Sequence, residues 1–221
     1  GAVSLFVKDT VKLSEYRKYI TVYGNTNLKN IFKLTYKNIE LKNLIISENP
    51  LEELDVSSNS ELRVLVANNI GLSELVLTDN EELTYLDISK NNFETIDISE
   101  NTKLLKVYLN SNGLRSLDSN KNIKLTHLYA DDNDLIEVSI ENSTELIWLN
   151  LSDNDLKNVS LVGNEGLRHI KIERNKLEAV PLGLSEISVS GARISLIDNP
   201  FTENALAALA ELKETYEDLN Y

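Results

Sequence analysis

Apolar residues recur along the middle of the chain at a constant interval of 21 residues. A leucine opens each interval, an aliphatic residue follows three positions later, and a small or aliphatic residue follows five positions later. Because alternate side chains of a strand point to the same side, this spacing predicts a short strand with one face in a core. The opening residues are Leu41, Leu62, Leu83, Leu104, Leu125, Leu146 and Leu167.

The second half of each interval repeats the first half, so every unit contains two near-copies of 10 and 11 residues. One unit cannot bury its own apolar edge, whereas units stacked about 4.8 Å apart share a continuous core. No helical pattern separates the halves, so we expect a strand in each half and a thin, extended second side with shallow curvature. The second halves begin at Leu51, Leu72, Phe93, Leu114, Leu135 and Leu156.

An asparagine stands eight positions after most of the opening leucines, where the chain turns out of the strand. A side-chain amide at such a turn can donate to and accept from backbone groups that would otherwise be buried without partners. We therefore expect a buried asparagine ladder along each half of the stack, with Ile70 interrupting the first ladder and Ser143 the second. The first ladder comprises Asn49, Asn91, Asn112, Asn133, Asn154 and Asn175.

Segments such as LTYLDISKNNF and LIWLNLSDNDL resemble the LxxLxLxxNxL signature of the leucine-rich repeat family. The doubled 21-residue unit is similar to the short bacterial class of this family, including internalin-like surface proteins. The resemblance implies a leucine-rich repeat solenoid of the α/β horseshoe class, dominated by strands. Parallel β-ladders would run through about seven coils, one for each opening leucine, and a C-terminal helix would cap them.

The ends of the chain depart from the repeat, which suggests three regions. We expect an N-terminal cap at 1–40, leucine-rich repeats at 41–180, and a final irregular coil with a capping helix at 181–221. The apolar spacing of the first region suggests a short amphipathic helix at 10–20.

After the repeats, the register breaks at Pro181, and the following residues suggest a shortened last coil. Thr202 can cap a helix that extends to about Leu219. We expect this helix to cover the apolar edge of the last coil, using the inner-face candidates Leu206, Leu209, Tyr216 and Leu219.

Composition excludes several classes of function. The chain has no cysteine, so thiolate metal sites, disulfides and cysteine nucleophiles are absent. A net charge of −13 argues against binding to nucleic acid, and the lack of a long uncharged apolar stretch argues against membrane insertion. Because no nucleophile–base pair, metal triad or phosphate loop is evident, we expect no enzyme activity and no cofactor.

Aromatic residues are confined to one side of the repeat. Between 41 and 180, four of the five aromatic residues occupy outward positions of the first-half strand, and both histidines lie there too. The backbones of His127 and His169 would be roughly 10 Å apart, so a shared metal ion is not expected. The candidate binding residues on this strand face are Tyr85, Asp87, Lys106, Tyr108, His127, Tyr129, Asp131, Trp148, Asn150, His169 and Lys171.

Two interpretations of this one-sided face stay open. Tyrosine and tryptophan are frequent anchors of protein interfaces, which favours a binding face. Neighbouring aromatic residues on a parallel ladder also stabilise a sheet by stacking, without any partner. Near the face, Asp131 and its acidic neighbours with Asp153 suggest a solvated rim, or a weak site for a cation or a basic partner side chain.

Together, these observations favour a non-enzymatic recognition module. The resemblance implies that it binds a protein, peptide or surface glycan on the concave face of the solenoid. It also implies a secreted or cell-surface protein whose signal segment has been removed. The alternative is a rigid spacer domain within a larger surface protein.

Overall fold

The computed structural model describes residues 3–5, 19–22, 39–51 and 53–221. Within these ranges, eleven parallel strands form one long sheet, here called the main sheet, and two further strands form a second sheet. The second sheet contains β7 (Ser116–Asp118) and β9 (Glu137–Ser139). In order, the main sheet contains β1 (Val3–Leu5), β2 (Tyr19–Val22), β3 (Asn43–Ile45), β4 (Val64–Val66), β5 (Tyr85–Asp87), β6 (Lys106–Tyr108), β8 (His127–Tyr129), β10 (Trp148–Asn150), β11 (His169–Lys171), β12 (Arg193–Ser195) and β13 (Leu219–Asn220).

Strands β3, β4, β5, β6, β8, β10 and β11 begin at successive intervals of 21 residues, so the predicted solenoid of stacked coils is confirmed. The opening leucine of each interval is completely buried, as is the central residue of each of these strands. The apolar positions of successive coils therefore align into one continuous core, which explains why the interval is conserved along the stack.

Hydrogen bonds of the main sheet join each coil to the adjacent coils. The N–H of Leu109 donates to the carbonyl of Tyr129 at 2.8 Å, and the N–H of Ala130 donates to the carbonyl of Asn150 at 2.9 Å. The N–H of Leu151 then donates to the carbonyl of Lys171 at 2.8 Å. Each such bond spans one repeat, so the cohesion of the stack is built from nearest-neighbour contacts.

The expectation of a strand in both halves of every coil is wrong. In the described residues, the second half forms strands only at β7 and β9; isolated bridges occur at Glu53 and between Ser160 and Leu182. In other coils the second half is held by hydrogen bonds within itself and by the second asparagine ladder, without paired strands. The carboxylate of Asp97, for example, accepts from the N–H of Ser99 at 2.9 Å, so this N–H is satisfied without a neighbouring strand.

The coil that follows β11 is longer than the others, not shorter as the sequence suggested. His169 pairs in register with Arg193, an interval of 24 residues. The additional residues form a short 3₁₀ helix at Leu184–Glu186, which begins after Gly183. Gly183 has a φ of 76°, and a Cβ there would lie 2.6 Å from the backbone nitrogen of Val162, so only glycine fits this turn.

Helix α1 (Glu203–Lys213) follows, and Thr202 caps it by accepting a hydrogen bond from the N–H of Ala205 at 3.3 Å. The expected helical extension to Leu219 is wrong, because the chain turns after Lys213 and Leu219 enters β13. On this helix, the side chain of Leu209 is buried against the core, whereas that of Leu206 is 41% exposed and does not face the core. The cap is therefore a helix combined with a final strand.

The side chain of Tyr216 fastens this cap to the lengthened coil. Its hydroxyl donates to the carbonyls of Leu184 and Ile187, at 3.1 and 2.9 Å. Burial raises the pKa of this hydroxyl, so it stays protonated and able to donate. The segment after the helix is thus joined to the lengthened coil by buried hydrogen bonds.

The main sheet also extends into the first forty residues. Strand β2 pairs with β3, and Ile20 lies opposite Leu44 in the core. The helix suggested for 10–20 is therefore wrong at Tyr19 and Ile20, which are in a strand. Residues 10–18 lie outside the described residues.

Candidate binding face

Five aromatic rings form a continuous stack across the outward face of the main sheet, from β5 to β11. We call this stack the ring ladder; its members are Tyr85, Tyr108, Tyr129, Trp148 and His169. Successive ring centroids are 5.4, 4.7, 5.8 and 4.1 Å apart. Tyr108 and Tyr129 are closest to parallel, with an interplanar angle of 8°.

The ring ladder does not follow a single row of the sheet. Tyr85, Trp148 and His169 are the first residues of their strands, whereas Tyr108 and Tyr129 are the third residues of theirs. The rings therefore cross from one row to the other and back, and long side chains close the diagonal steps. The repeat register placed these residues on one face, but the structure shows that they touch.

His127 lies outside the stack: it is the first residue of β8, whereas the ring ladder passes through the third residue, Tyr129. Its Nδ1 is 2.9 Å from the hydroxyl of Thr126, and its register neighbour on β6 is Lys106. Burial lowers the pKa of His127, and the positive charge of Lys106 lowers it further. This imidazole is therefore neutral at neutral pH and can act as a hydrogen-bond donor or acceptor toward a ligand.

Polar residues flank both ends of the ring ladder. Near its start, Asp87 accepts from the amide of Asn68 at 2.7 Å and from the hydroxyl of Ser89 at 2.7 Å, which fixes the orientation of the carboxylate. Asn150 occupies the corresponding row on β10, and Lys171 is exposed on β11. The face therefore offers an acidic start, an aromatic middle and a basic end.

The pKa values of three ladder members, Tyr85, Tyr129 and His169, are shifted toward the neutral form. Burial raises the pKa of Tyr85 to about 12, and the neighbouring Tyr108 and Asp87 add to the effect. Burial likewise raises the pKa of Tyr129. The pKa of His169 is lowered, first by burial and then by the positive charges of nearby basic side chains. The rings thus present hydroxyls and a neutral imidazole at neutral pH.

The indole N–H of Trp148 is buried and has no hydrogen-bond partner among the described residues. A buried donor without a partner costs on the order of 1–3 kcal/mol, and most such groups in folded proteins are paired. Trp148 therefore introduces an energetic cost at the centre of the face, where a phenylalanine or leucine would introduce none.

The acidic rim beside the face is not an assembled metal site. Burial raises the pKa of Asp131, and the neighbouring Asp132 and Asp153 contribute to the increase. Asp153 is already engaged, because its carboxylate accepts two hydrogen bonds from the guanidinium of Arg174, at 2.5 and 2.8 Å. In the part of the chain that the structure describes, no three acidic or histidine side chains come together in a metal-binding group.

The chain resembles known proteins in structure and not in sequence. No protein-family model matches the chain, and no curated protein matches it in sequence. The solved functional domain of InlJ from Listeria monocytogenes superimposes with a TM-score of 0.77 at 23% identity, over 83% of this chain and 40% of that one. The chain has the leucine-rich repeat fold. A stack of 21-residue coils, each with one strand of a parallel sheet, is common to both.

Two further leucine-rich repeat structures support the same fold. A leucine-rich repeat protein of Leptospira interrogans superimposes with a TM-score of 0.67 at 18% identity, over 92% of this chain and 60% of that one. YopM from Yersinia enterocolitica gives a TM-score of 0.66 at 20% identity, over 84% of this chain and 43% of that one. The chain thus spans less than two thirds of the length of each of these proteins.

The first asparagine ladder of the repeat connects adjacent coils through both ends of its amides. Asn133 donates to the carbonyls of Leu109, Ala130 and Asp131 at 3.1–3.2 Å, and accepts from the N–H of Leu114 at 3.1 Å. The other asparagines of this ladder also donate to backbone carbonyls. Asn112 is half-buried, and the remaining members are buried: Asn49, Asn91, Asn133, Asn154 and Asn175.

The interruption at Ile70 is bridged by the next asparagine. Asn91 accepts from the N–H groups of Ile70, Gly71 and Leu72, at 3.2, 3.0 and 3.1 Å. In the second ladder, the hydroxyl of Ser143 donates to the carbonyl of Ser119 at 3.0 Å. Neither substitution leaves a break in the repeat solenoid.

The last coil lies out of register with the 21-residue repeat, so its ladder and face residues were not among the predicted ones. Asn199 continues the first asparagine ladder, since it accepts from the N–H of Leu177 at 3.1 Å and donates to the carbonyl of Leu196 at 2.8 Å. Arg193 and Ser195 consequently extend the outward face of the main sheet. The signal was the spacing of Ile194, Leu196 and Asn199, which matches the repeat after an insertion.

None of the described helices combines the length and the apolar character that a membrane crossing requires.

Proposed function

We propose that the protein is a non-enzymatic recognition module that binds a partner protein on the outward face of the main sheet. The observation that carries this proposal is the ring ladder, a stack of five half-buried rings on one face. Aromatic side chains that are already ordered lose little conformational freedom when a partner covers them, which is why they are favoured as interface anchors.

Sheet stability alone explains the ring ladder less well. Stacked aromatic pairs contribute roughly 0.5–1.5 kcal/mol each, so the ladder does stabilise the sheet. The unpaired indole N–H of Trp148 offsets part of this contribution. The concentration of aromatic rings and both histidines on one face also has no counterpart in the second half of the coils.

The geometry of the stack favours a protein partner over a surface glycan. Sugars are held on aromatic residues by contact with an open ring face, whereas the inner rings of this ladder cover one another's faces. A partner therefore meets the edges of the stacked rings more than their faces. Ring edges carry partial positive charge and suit backbone carbonyls and other aromatic rings of a protein.

The test is a comparison of matched variants. A partner would be captured by crosslinking from the source cells, and its affinity measured for Trp148→Ser and Tyr129→Ser against Glu137→Ser and Asp118→Ser. The controls lie on β7 and β9, where their side chains are exposed. We expect the ladder variants to weaken binding at least about 30-fold, which corresponds to about 2 kcal/mol, and the controls to change it less than threefold.

Loss of binding in the β7 and β9 variants, with retention in the ladder variants, would assign the interface to the other half of the coils. Retention in all four variants would favour the rigid spacer. Circular dichroism of each variant separates weakened binding from unfolding. Tyr129→Phe and Tyr108→Phe keep the stack and remove only a hydroxyl, so they provide variants with an undisturbed fold.

We further propose that the protein is secreted or displayed on a cell surface, with an N-terminal cap at 1–40 and a C-terminal cap at 181–221 flanking the repeats. The fold shared with InlJ and the absence of cysteine-dependent chemistry are compatible with this location. Protease treatment of intact cells tests it. Digestion of the protein under conditions that spare cytoplasmic markers is expected, and its full protection would contradict the proposal.

A further inference from the structure

The ring ladder ends at an open cleft of about 320 Å³ that is formed largely by the last three strands of the main sheet. Trp148 and His169 form the aromatic wall of this cleft, here called the terminal cleft. Its remaining lining comes from β11, β12 and the end of the chain: Ile170, Lys171, Arg193, Ile194, Ser195, Asp218 and Asn220. The cleft adjoins the ladder, but five of its nine lining residues come from β12 and the final strand region, beyond the regular repeats.

The terminal cleft is locally basic on an acidic protein. The chain carries a net charge of −13, yet Lys171 and Arg193 line the cleft, and Arg168 lies close enough to influence His169. Within the described residues, none of these three cations forms an ion pair. Among the described residues, five cations elsewhere in the chain are paired across the stack, as Lys121 is with Glu100 at 3.1 Å, whereas others such as Lys106 and Arg115 are not.

The lining also limits the charge of a ligand. Asp218 lies opposite Arg193, because Leu219 pairs with Ile194 in the adjacent strand. With one carboxylate beside two or three cations, the cleft suits a single negative charge better than a doubly charged phosphate. The aromatic wall excludes water from one side, which strengthens the attraction between an anion and the cations of the cleft.

We propose that the terminal cleft binds the carboxylate of an acidic side chain, aspartate or glutamate, from a protein segment that lies along the ring ladder. This proposal rests on the proposed function, since it names the chemistry of the partner at one end of that face. Arg193 offers a planar, two-pronged donor group that matches a carboxylate, and Lys171 offers a point charge. The hydroxyl of Ser195 is a further donor in the same lining.

The same face predicts the direction of the bound segment. Asp87 lies five strands away from Arg193 in the main sheet, a distance of roughly 24 Å at the usual strand spacing. A segment with its acidic residue in the terminal cleft would place hydroxyl or basic residues over Asp87. Opposite charges at the two ends of the face thereby select one orientation of the partner.

Trp148 is the only tryptophan of the chain, so its fluorescence reports on the terminal cleft and the adjoining end of the ring ladder. The protein would be titrated with N-acetyl tetraglutamate amide at physiological salt, with the tetraglutamine peptide as the neutral probe. We expect a saturable change in emission with tetraglutamate and none with tetraglutamine. Arg193→Gln and Lys171→Gln should each weaken the response at least tenfold. Arg115→Gln, an exposed cation outside the main sheet face, should leave it within twofold.

Proton NMR gives a second measurement of the same event. A bound carboxylate stabilises the protonated imidazole, so the pKa of His169 should rise on saturation with tetraglutamate while that of His127 stays constant. An equal response to tetraglutamine would overturn the proposal, as would equal losses in Arg193→Gln and Arg115→Gln. Tighter binding of inorganic phosphate than of tetraglutamate would overturn the assignment to a carboxylate.

The failure of this proposal is distinguishable from that of the binding face itself. Tyr85→Ser alters the far end of the ring ladder, so it should weaken the captured partner and leave tetraglutamate binding unchanged. If tetraglutamate does not bind but Tyr85→Ser still weakens the partner, only the terminal cleft is refuted. If tetraglutamate binds at Arg193 but ladder variants keep full affinity for the partner, only the role of the ring ladder is refuted.

Discussion

The two halves of each coil begin from nearly the same sequence pattern but differ in structure. In the first half, the outward residues of the main sheet from β3 to β10 are half-buried by one another, whereas those of β7 are exposed. The first half carries the ring ladder and the second half carries mainly acidic and small polar residues. A shared apolar pattern therefore determines the core, and the outward positions determine what each face is able to do.

The asparagine ladders show the same contrast inside the protein. In the first ladder, the side-chain carbonyl oxygens accept backbone hydrogen bonds from the preceding coil, as that of Asn154 does from Leu135 at 2.9 Å. In the second ladder, the corresponding oxygens of Asn80, Asn101, Asn122 and Asn164 are buried without a partner in the part of the chain that the structure describes. The first ladder is thus the stronger polar connection between coils, and the following predictions test this difference.

The largest effect is expected for Asn133→Ala. The change removes the acceptor for the N–H of Leu114 and the donor to three carbonyls, so buried backbone groups lose their partners. We expect the free energy of unfolding to fall by about 3 kcal/mol, measured by denaturant titration. Asn110→Ala, at a half-buried outward position two residues from the turn, is the control and should cost less than about 0.5 kcal/mol. Equal losses would contradict the distinction between these positions.

A smaller effect is expected for Asn122→Ala in the second ladder. Its amide donates to the carbonyls of Ile98 and Asn101, both at 3.0 Å, but its oxygen has no partner to lose. The free energy of unfolding should fall by about 1–2 kcal/mol, less than for Asn133→Ala. The same denaturant titration ranks the two variants. A greater loss for Asn122→Ala would reverse the order of the two ladders.

The ring ladder should contribute a moderate amount to stability. Tyr129 stacks with Tyr108 and Trp148, so Tyr129→Ser is expected to lower the free energy of unfolding by about 1–2 kcal/mol. Tyr129→Phe keeps both stacked contacts and should cost less than about 0.5 kcal/mol. Glu137→Ser, in the second half of the coil, should cost as little. If Tyr129→Phe destabilises the protein as much as Tyr129→Ser, the hydroxyl and not the stack is responsible.

The smallest effect concerns pH. The pKa values of His127 and His169 are lowered by burial, so the unfolded chain binds more protons than the folded protein just below pH 6.5. Stability should therefore be highest above the unfolded value and should decline as the pH falls through the folded values. Thermal melts between pH 7.5 and 5 would measure this decline. His169→Gln should reduce it, and an unchanged slope in that variant would assign the pH dependence to other groups.

Regular features were accessible to sequence analysis because each is repeated many times. The interval of 21 residues located the core, and the register of Trp148 and Tyr129 placed both on one face. The contact between rings was not predictable, since it depends on side chains that cross between rows. Whether the other candidate residues of the face bind a ligand stays a prediction.

The ends of the chain were predicted less well because they lack this repetition. Leu206, Leu209, Tyr216 and Leu219 have helical spacing, so a single long helix was the natural interpretation. A final strand of two residues, Leu219–Asn220, leaves no periodic signal. The three additional residues before Arg193 likewise concealed the last coil, although Asn199 still occupies its expected place after Leu196.

The restriction of sheet hydrogen bonds to adjacent coils determines how the molecule would respond to tension. Force applied along the stack acts on every inter-coil boundary in series, and because no main-sheet bond skips a coil in the described residues, the end coils are each held from one side only. Coils would peel from an end in sequence, and each would release roughly 65 Å of chain, given about 3.4 Å per extended residue less the original spacing. The hydrogen bonds between adjacent coils therefore hold the stack together at rest and allow it to lengthen coil by coil under force.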